Sequence, residues 1–146
     1  MPAYVQYSLD ISIAEFFTRT SATREACDKK AASLVEGNII PVPIQGSCSY
    51  TVYGGTRSEF VVQFRLQSLS LSLKTTALAR KIHGNLAPTT AYHGQLGDTS
   101  QETALVYSLR RIPGISYLEF RLANNHAENS EENFALRADL MVDLAR

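Results

Sequence analysis

Residues 39–66 constrain the fold more than any other part of the chain, because three extended runs there are separated by glycines. The runs cover residues 38–45, 49–53 and 60–66. Gly46 lies at the first bend, and Gly54 and Gly55 lie at the second, where adjacent glycines supply the positive φ angles of a tight reversal. The pattern predicts a β-meander.

The third run predicts how the two faces of this sheet differ. Side chains of a strand point alternately to opposite faces. Apolar residues therefore share one face, while the other face carries an amide and a guanidinium. The apolar face carries Phe60, Val62 and Phe64. The other face carries Val61, Gln63 and Arg65. Two polar groups at alternate positions indicate a face that lines water or a ligand.

Helical and extended patterns surround the meander. Asp10 and Ser21 are the predicted caps of two N-terminal helices. A third helix is predicted from about Ser70 or Ser72 to His83, and Gly84 closes it. Two further strands and a last helix, capped by Asn129, follow over residues 89–96, 102–109 and 130–144.

This order predicts an α+β fold, in which a five-stranded antiparallel sheet is flanked by N-terminal and C-terminal helices. The chain has 146 residues, which suits a single domain with a sizeable core. Within that domain we predict a helical segment over 1–37, a sheet with one helix over 38–120, and a C-terminal helix over 121–146.

The composition excludes several classes of protein. Apolar residues make up 45% and charged residues 19%, as in an ordinary globular chain, and the 14 basic and 14 acidic residues give no excess cation for nucleic acid. Cys27 and Cys48 form no CxxC motif, so we predict buried thiols in a reducing compartment and no metal site. Without a membrane span or signal pattern, the predicted location is cytoplasmic.

The charges are nevertheless distributed unevenly. Residues 60–97 contain no Asp or Glu but four cations, whereas the sequence after Ala123 is acidic. One interpretation is that the two regions pair within the chain. The other is a cationic cleft for an anionic or carbonyl-bearing ligand.

Four segments resemble the N-terminal lobe of the aminoglycoside-phosphotransferase-like family, which has a kinase fold, and above all its fungal members. They are ATREACDKKAASLV (22–35), PVPIQGSCSYTV (41–52), FVVQFR (60–65) and ALVYSLRRIPG (104–114). The resemblance covers roughly residues 22–120. The resemblance implies a first hairpin that covers the ATP phosphates and a strand lysine that forms an ion pair with a helix glutamate. It also implies a second lobe that carries the catalytic and metal-binding acids.

The chain departs from that family at the residues that carry its chemistry. The third strand has Gln63 and Arg65 but no lysine, and the following helix contains no acid. The segment His83–Pro88 resembles the family's HGD loop, yet Asn85 replaces its base and Thr90 its metal-binding asparagine. We therefore expect no phosphoryl transfer, and no cofactor.

The candidate site lies on the sheet. Gln63, Arg65 and His93 are the predicted catalytic residues, and the predicted substrate-binding residues are Tyr50, Val52, Val61, Tyr92 and Tyr107. Apolar walls with a few convergent polar groups are typical of a small-molecule site. The alternative is that Arg65 pairs with an acid of the last helix and that His83, His93 and His126 are structural.

Three hypotheses about function follow. The first is a cofactor-free cyclase or isomerase, of pericyclic Diels–Alder type, that acts on a small hydrophobic substrate in fungal secondary metabolism, as the resemblance implies. The second is a non-catalytic module that binds a partner protein or forms a homodimer. The third is the N-terminal lobe of a longer phosphotransferase.

Overall fold

The structure, a computed structural model, describes residues 6–115, 119–120, 123, 127 and 129–144. The chain divides into two compact units, Met1–Ile112 and Pro113–Arg146. The first contains the sheet and three helices of the described chain, and the second contains the last helix. The single domain over residues 1–146 stays a prediction.

The predicted α+β class is confirmed. The strands form an antiparallel sheet in the order β1-β2-β3-β5-β4. The elements are α1 Leu9–Phe17, α2 Arg24–Leu34, β1 Ile40–Pro41, β2 Ser49–Gly54, β3 Phe60–Leu66, α3 Leu73–His83, β4 Thr90–Leu96, β5 Ala104–Arg110 and α4 Glu131–Leu144.

For α1, α2 and α4, the residue that caps the N-terminus of the helix differs from the predicted one. Ser8 caps α1 by accepting from the Ile11 amide, and Thr23 caps α2 by accepting from the Ala26 amide. In the second unit the Ser130 hydroxyl accepts from the Asn133 amide at 3.2 Å. Asp10, Ser21 and Asn129 are therefore not the caps. Since Ser, Thr, Asp and Asn all serve this role, neighbouring candidates are hard to separate by sequence.

The first strand is much shorter than the predicted run of residues 38–45. Only Ile40 and Pro41 pair with β2, and the Val42 amide adds one bond to the Thr51 carbonyl at 3.1 Å. Pro41 and Pro43 carry no N–H, so they cannot extend the ladder.

The two glycines of the second bend have different roles. Gly55 has φ +99°, as the tight reversal requires. Gly54 is required for space, because a Cβ there would overlap the Val35 side chain at the end of α2.

The core lies between one face of the sheet and the first two helices. Val62 and Phe64, two of the three residues on the predicted apolar face of β3, are fully buried, and so is Leu66, whereas Phe60 is partly buried. Burying an aliphatic or aromatic side chain of this kind stabilises the fold by about 1.5–3 kcal/mol. The other members of this core are Ile13, Phe16, Ala22, Cys27, Ala31, Val35, Tyr50, Val52, Ala104 and Val106. Among the described residues, no helix has the length and apolarity needed to cross a membrane.

Candidate functional site

The strand register decides which predicted site residues share a face. Residues directly opposite one another in an antiparallel pair have side chains on the same side. Gln63 lies opposite Thr51 on one side and Tyr107 on the other, and Tyr107 lies opposite Tyr92. We call this side the polar sheet face. It comprises Ser49, Thr51, Tyr53, Val61, Gln63, Arg65, Thr90, Tyr92, Leu105, Tyr107 and Leu109.

A file of hydrogen-bonded side chains crosses this face. The Ser49 and Thr51 hydroxyls are 3.1 Å apart, and the Gln63 amide nitrogen donates to Thr51 Oγ1 at 3.4 Å. Arg65 Nη1 donates to Gln63 Oε1 at 3.2 Å, while its Nε donates to the Leu69 carbonyl at 2.8 Å. The guanidinium and the carboxamide are thus held in one orientation.

The Arg65–Gln63 pair retains donor capacity. A guanidinium has five N–H groups, and the bonds to Gln63 and Leu69 use two of them. The Gln63 oxygen accepts from Arg65, and the Gln63 NH₂ group donates one of its two N–H groups to Thr51, so one N–H remains. Both side chains are half-buried, so they are partly shielded from water. Fixed donors in such surroundings suit a carbonyl or carboxylate oxygen.

An aromatic and apolar wall borders the two donors. The rings of Tyr92 and Tyr107 are 5.4 Å apart between centroids and inclined by 47°. Tyr107 is buried and its hydroxyl accepts from the Leu71 amide at 3.3 Å, whereas Tyr92 is exposed. Leu105 lies opposite Arg65 and is buried. The polar sheet face therefore carries two oriented polar side chains next to an aromatic pair, of which Tyr92 is the exposed member.

Tyr50 and Val52 do not belong to this face. They lie opposite Phe64 and Val62, on the side that packs against α1 and α2, and both are fully buried. The Tyr50 hydroxyl donates to an Asp28 carboxylate oxygen at 2.8 Å, and burial raises the pKa of Tyr50. The sequence interpretation that grouped them with Gln63 and Arg65 is wrong.

His93 is also separated from the other two predicted catalytic residues. A register shift between Tyr92 and Gln95 marks a bulge at this position. His93 Nε2 lies 2.7 Å from the Ser108 hydroxyl, and Ser108 is opposite Val62, on the core side of the sheet. A histidine beside a serine can act as its base, but this pair shares no surface with Gln63 and Arg65.

Two surface clefts lie in the first unit, and the second of them adjoins the polar sheet face at Thr90. One has a volume of about 430 Å³ and is lined by α1 and the loop before β2, where Arg19 donates to the Ser47 carbonyl at 3.0 Å. The other, of about 240 Å³, is lined by α3 and the start of β4. Thr90 Oγ1 lines it and is buried, with no partner within the described chain. None of the predicted site residues lines either cleft.

The sequence analysis predicted neither cleft, because each cleft is formed where two segments of the chain meet in space. Residues of α1, at positions 9–17, lie at least 30 positions before Ser47. The sequence offered only a weak signal of this cleft, namely Glu15 and Arg19 one helical turn apart. Among the described residues, no group of three or more His, Cys, Asp or Glu is placed to hold a metal ion. His126 lies outside the described residues.

Comparisons with known proteins found no match: no family profile, no curated protein and no solved structure is significantly similar to this chain.

Proposed function

We propose that this protein binds a small organic molecule on the polar sheet face, with Gln63 and Arg65 as donors to a carbonyl or carboxylate oxygen. The observation that carries the proposal is the 3.2 Å bond from Arg65 to Gln63 beside the paired rings of Tyr92 and Tyr107. It supports a site in which apolar surface supplies affinity and two oriented donors fix the ligand.

The proposal extends to catalysis without a cofactor. Donors that are fixed before the ligand arrives stabilise negative charge that develops on a carbonyl oxygen. A shaped apolar surface holds a flexible substrate in its reactive conformer. Together these effects favour an intramolecular cyclisation or isomerisation, with a cycloaddition as the simplest case. Secondary metabolism in a fungus is the setting that the family resemblance implies.

Binding by matched variants tests the proposal. Arg65→Ala and Gln63→Ala remove one donor each, while Arg57→Ala removes an exposed arginine from the β2–β3 turn. The probe is a panel of hydrophobic ketones, esters and carboxylates, screened by ligand-detected NMR and then titrated by calorimetry. Loss of a charge-assisted hydrogen bond costs about 1.5–3 kcal/mol, or roughly ten- to a hundredfold in Kd.

We expect Arg65→Ala to weaken binding by at least about tenfold and Arg57→Ala to leave it unchanged. Equal affinity for the wild type and Arg65→Ala would contradict the site. Tight binding and turnover of ATP with Mg²⁺ would contradict the proposal as a whole, because they would restore the phosphotransferase hypothesis.

A further inference from the structure

Ser108 and His93 form a hydrogen-bonded pair that takes no part in the polar sheet face. His93 Nε2 lies 2.7 Å from the Ser108 hydroxyl oxygen. Ser108 is opposite Val62, so the pair is on the other side of the sheet from Gln63 and Arg65. A hydroxyl within about 2.6–3.2 Å of a histidine nitrogen has the geometry of an activated serine nucleophile.

The pair lies where the apolar core ends. Along β5, Ala104 and Val106 belong to the core, whereas Ser108 is only half-buried. His93 is half-buried as well, and Ala91, which is directly opposite Ser108 on β4, is exposed. A small molecule can therefore reach the Ser108 hydroxyl from the side of Ala91.

The bulge in β4 provides space beside His93. The register shifts between Tyr92 and Gln95, so neither His93 nor Gly94 has a residue of β5 directly opposite. Gly94 has a φ of +87°, and within the described chain a Cβ at this position would have no other atom within 4 Å. Bulges often occur next to active sites, where they redirect a side chain. Here the bulge leaves room for a small acyl group next to the imidazole.

A cation lies on the same side of the sheet as the pair. Arg110 is two residues beyond Ser108 in β5, so the two side chains share a face and are about 7 Å apart along the strand. The Arg110 side chain is exposed, and its guanidinium forms neither a salt bridge nor a hydrogen bond within the described chain. A cation at this distance favours the negative charge that develops on an ester oxygen during attack by a serine.

We propose that Ser108 is a nucleophile, that His93 is its base, and that the pair hydrolyses small esters. The Ser108 oxygen attacks the ester carbonyl carbon while its proton moves to His93 Nε2, which requires the ring's own proton to be on Nδ1. The bond to the alcohol then breaks, and the alcohol leaves with the proton from Nε2. Water attacks the acyl-serine in turn and gives a proton to Nε2, and the acid leaves as that proton returns to Ser108. This site is on the opposite side of the sheet from the polar sheet face, so the inference goes beyond the proposed function.

A serine-directed fluorophosphonate tests the nucleophile without knowledge of the natural ester. We expect mass spectra of the native protein and of its peptides to show one phosphonylated residue, Ser108. His93→Gln keeps a polar side chain but removes the base, so labelling should slow by at least about a hundredfold. Two controls, Ser33→Ala in α2 and His83→Gln at the end of α3, change exposed residues and should be labelled at the wild-type rate.

Turnover of p-nitrophenyl acetate tests the complete reaction. We expect hydrolysis above the rate in buffer, and we expect Ser108→Ala to abolish it. Circular dichroism and urea denaturation confirm that Ser108→Ala and His93→Gln remain folded.

Three outcomes would overturn the proposal. The first is native wild-type protein that the fluorophosphonate does not label, since the bond between His93 and Ser108 would then be structural only. The second is equal labelling of the wild type and His93→Gln. The third is undiminished ester hydrolysis by Ser108→Ala, because another group would then react with the ester.

Discussion

The hydroxyl of Tyr50 donates to the Asp28 carboxylate at 2.8 Å, and this bond joins the second strand to the second helix. Arg24 completes the arrangement, since its guanidinium carbon lies 5.9 Å from the Tyr50 ring centroid and its Nε is 3.7 Å from Asp28. The ring itself is fully buried and stacks on Phe64 with centroids 5.9 Å apart. Tyr50 is therefore an anchor between sheet and helices rather than a ligand contact.

Tyr50→Phe is expected to lower the free energy of unfolding by about 1 kcal/mol, because one net hydrogen bond is lost while the ring still packs. Tyr53→Phe is the matched control, since Tyr53 stands on the other side of the sheet and is only half-buried. Urea denaturation of both variants measures the difference. If Tyr50→Phe is as stable as Tyr53→Phe, the bond to Asp28 contributes nothing to the fold.

Phe64→Ala should destabilise the protein far more than Val61→Ala, although both residues lie in β3. Phe64 is fully buried against α1 and α2, and truncating a core phenylalanine costs about 3–5 kcal/mol. Val61 is only half-buried on the polar sheet face, so its truncation removes fewer contacts. If urea denaturation gave similar losses of unfolding free energy for the two variants, the two faces of the sheet would be equally buried, contrary to this prediction.

The stability contributed by Glu102 should depend on pH. Its carboxylate accepts from the Ser68 amide at 2.8 Å, and the bonding from Ser68 lowers its pKa below the ordinary 4.5. A lowered pKa stabilises the folded state above the ordinary value, and this contribution is lost as the pH falls through the lowered one. The stability difference between wild type and Glu102→Gln should therefore shrink below pH 4.5. A constant difference across that range would contradict the assignment.

The two cysteines should differ in their reaction with iodoacetamide. Burial, with a smaller effect of the Asp28 charge, raises the pKa of the Cys27 thiol to about 12, and only the thiolate reacts. Cys48 is half-buried in the loop before β2. We expect mass spectrometry to find native protein alkylated at Cys48 and not at Cys27, with both modified in urea. Rapid labelling of Cys27 in the Cys48→Ser variant would contradict its burial.

The sequence predicted best those features that depend on a single segment. The alternation from Phe60 to Leu66 identified a strand with one buried face, and the structure has it. A start at Ser70 or Ser72, the helical spacing that follows and Gly84 predicted α3, which spans Leu73–His83 with Ser72 as its cap and Gly84 at φ +54°. Periodicity and end signals act within a few residues of one another, so no distant part of the chain is needed to interpret them.

The predictions that failed depend on how one strand meets another. Alternation shows that Tyr50 and Val52 share a side, but the length and shape of the turn decide whether that side matches Gln63 or Phe64. A change of one residue in register reverses the answer. His93 was misplaced for a similar reason, since the bulge beside it has no marker in the sequence besides Gly94, whose φ is +87°.

The central claim is that Arg65 and Gln63 hold a ligand oxygen on the polar sheet face. The most direct test is an NMR titration of ¹⁵N-labelled protein with a carbonyl compound that the binding screen identifies. It follows the side-chain resonances of Arg65 Nε–H and Gln63 NH₂. We expect both resonances to shift in a saturable way, together with the amides of Tyr92 and Tyr107. Saturable shifts confined to the cleft at Arg19 and Ser47, with the Arg65 and Gln63 signals unmoved, would contradict the central claim.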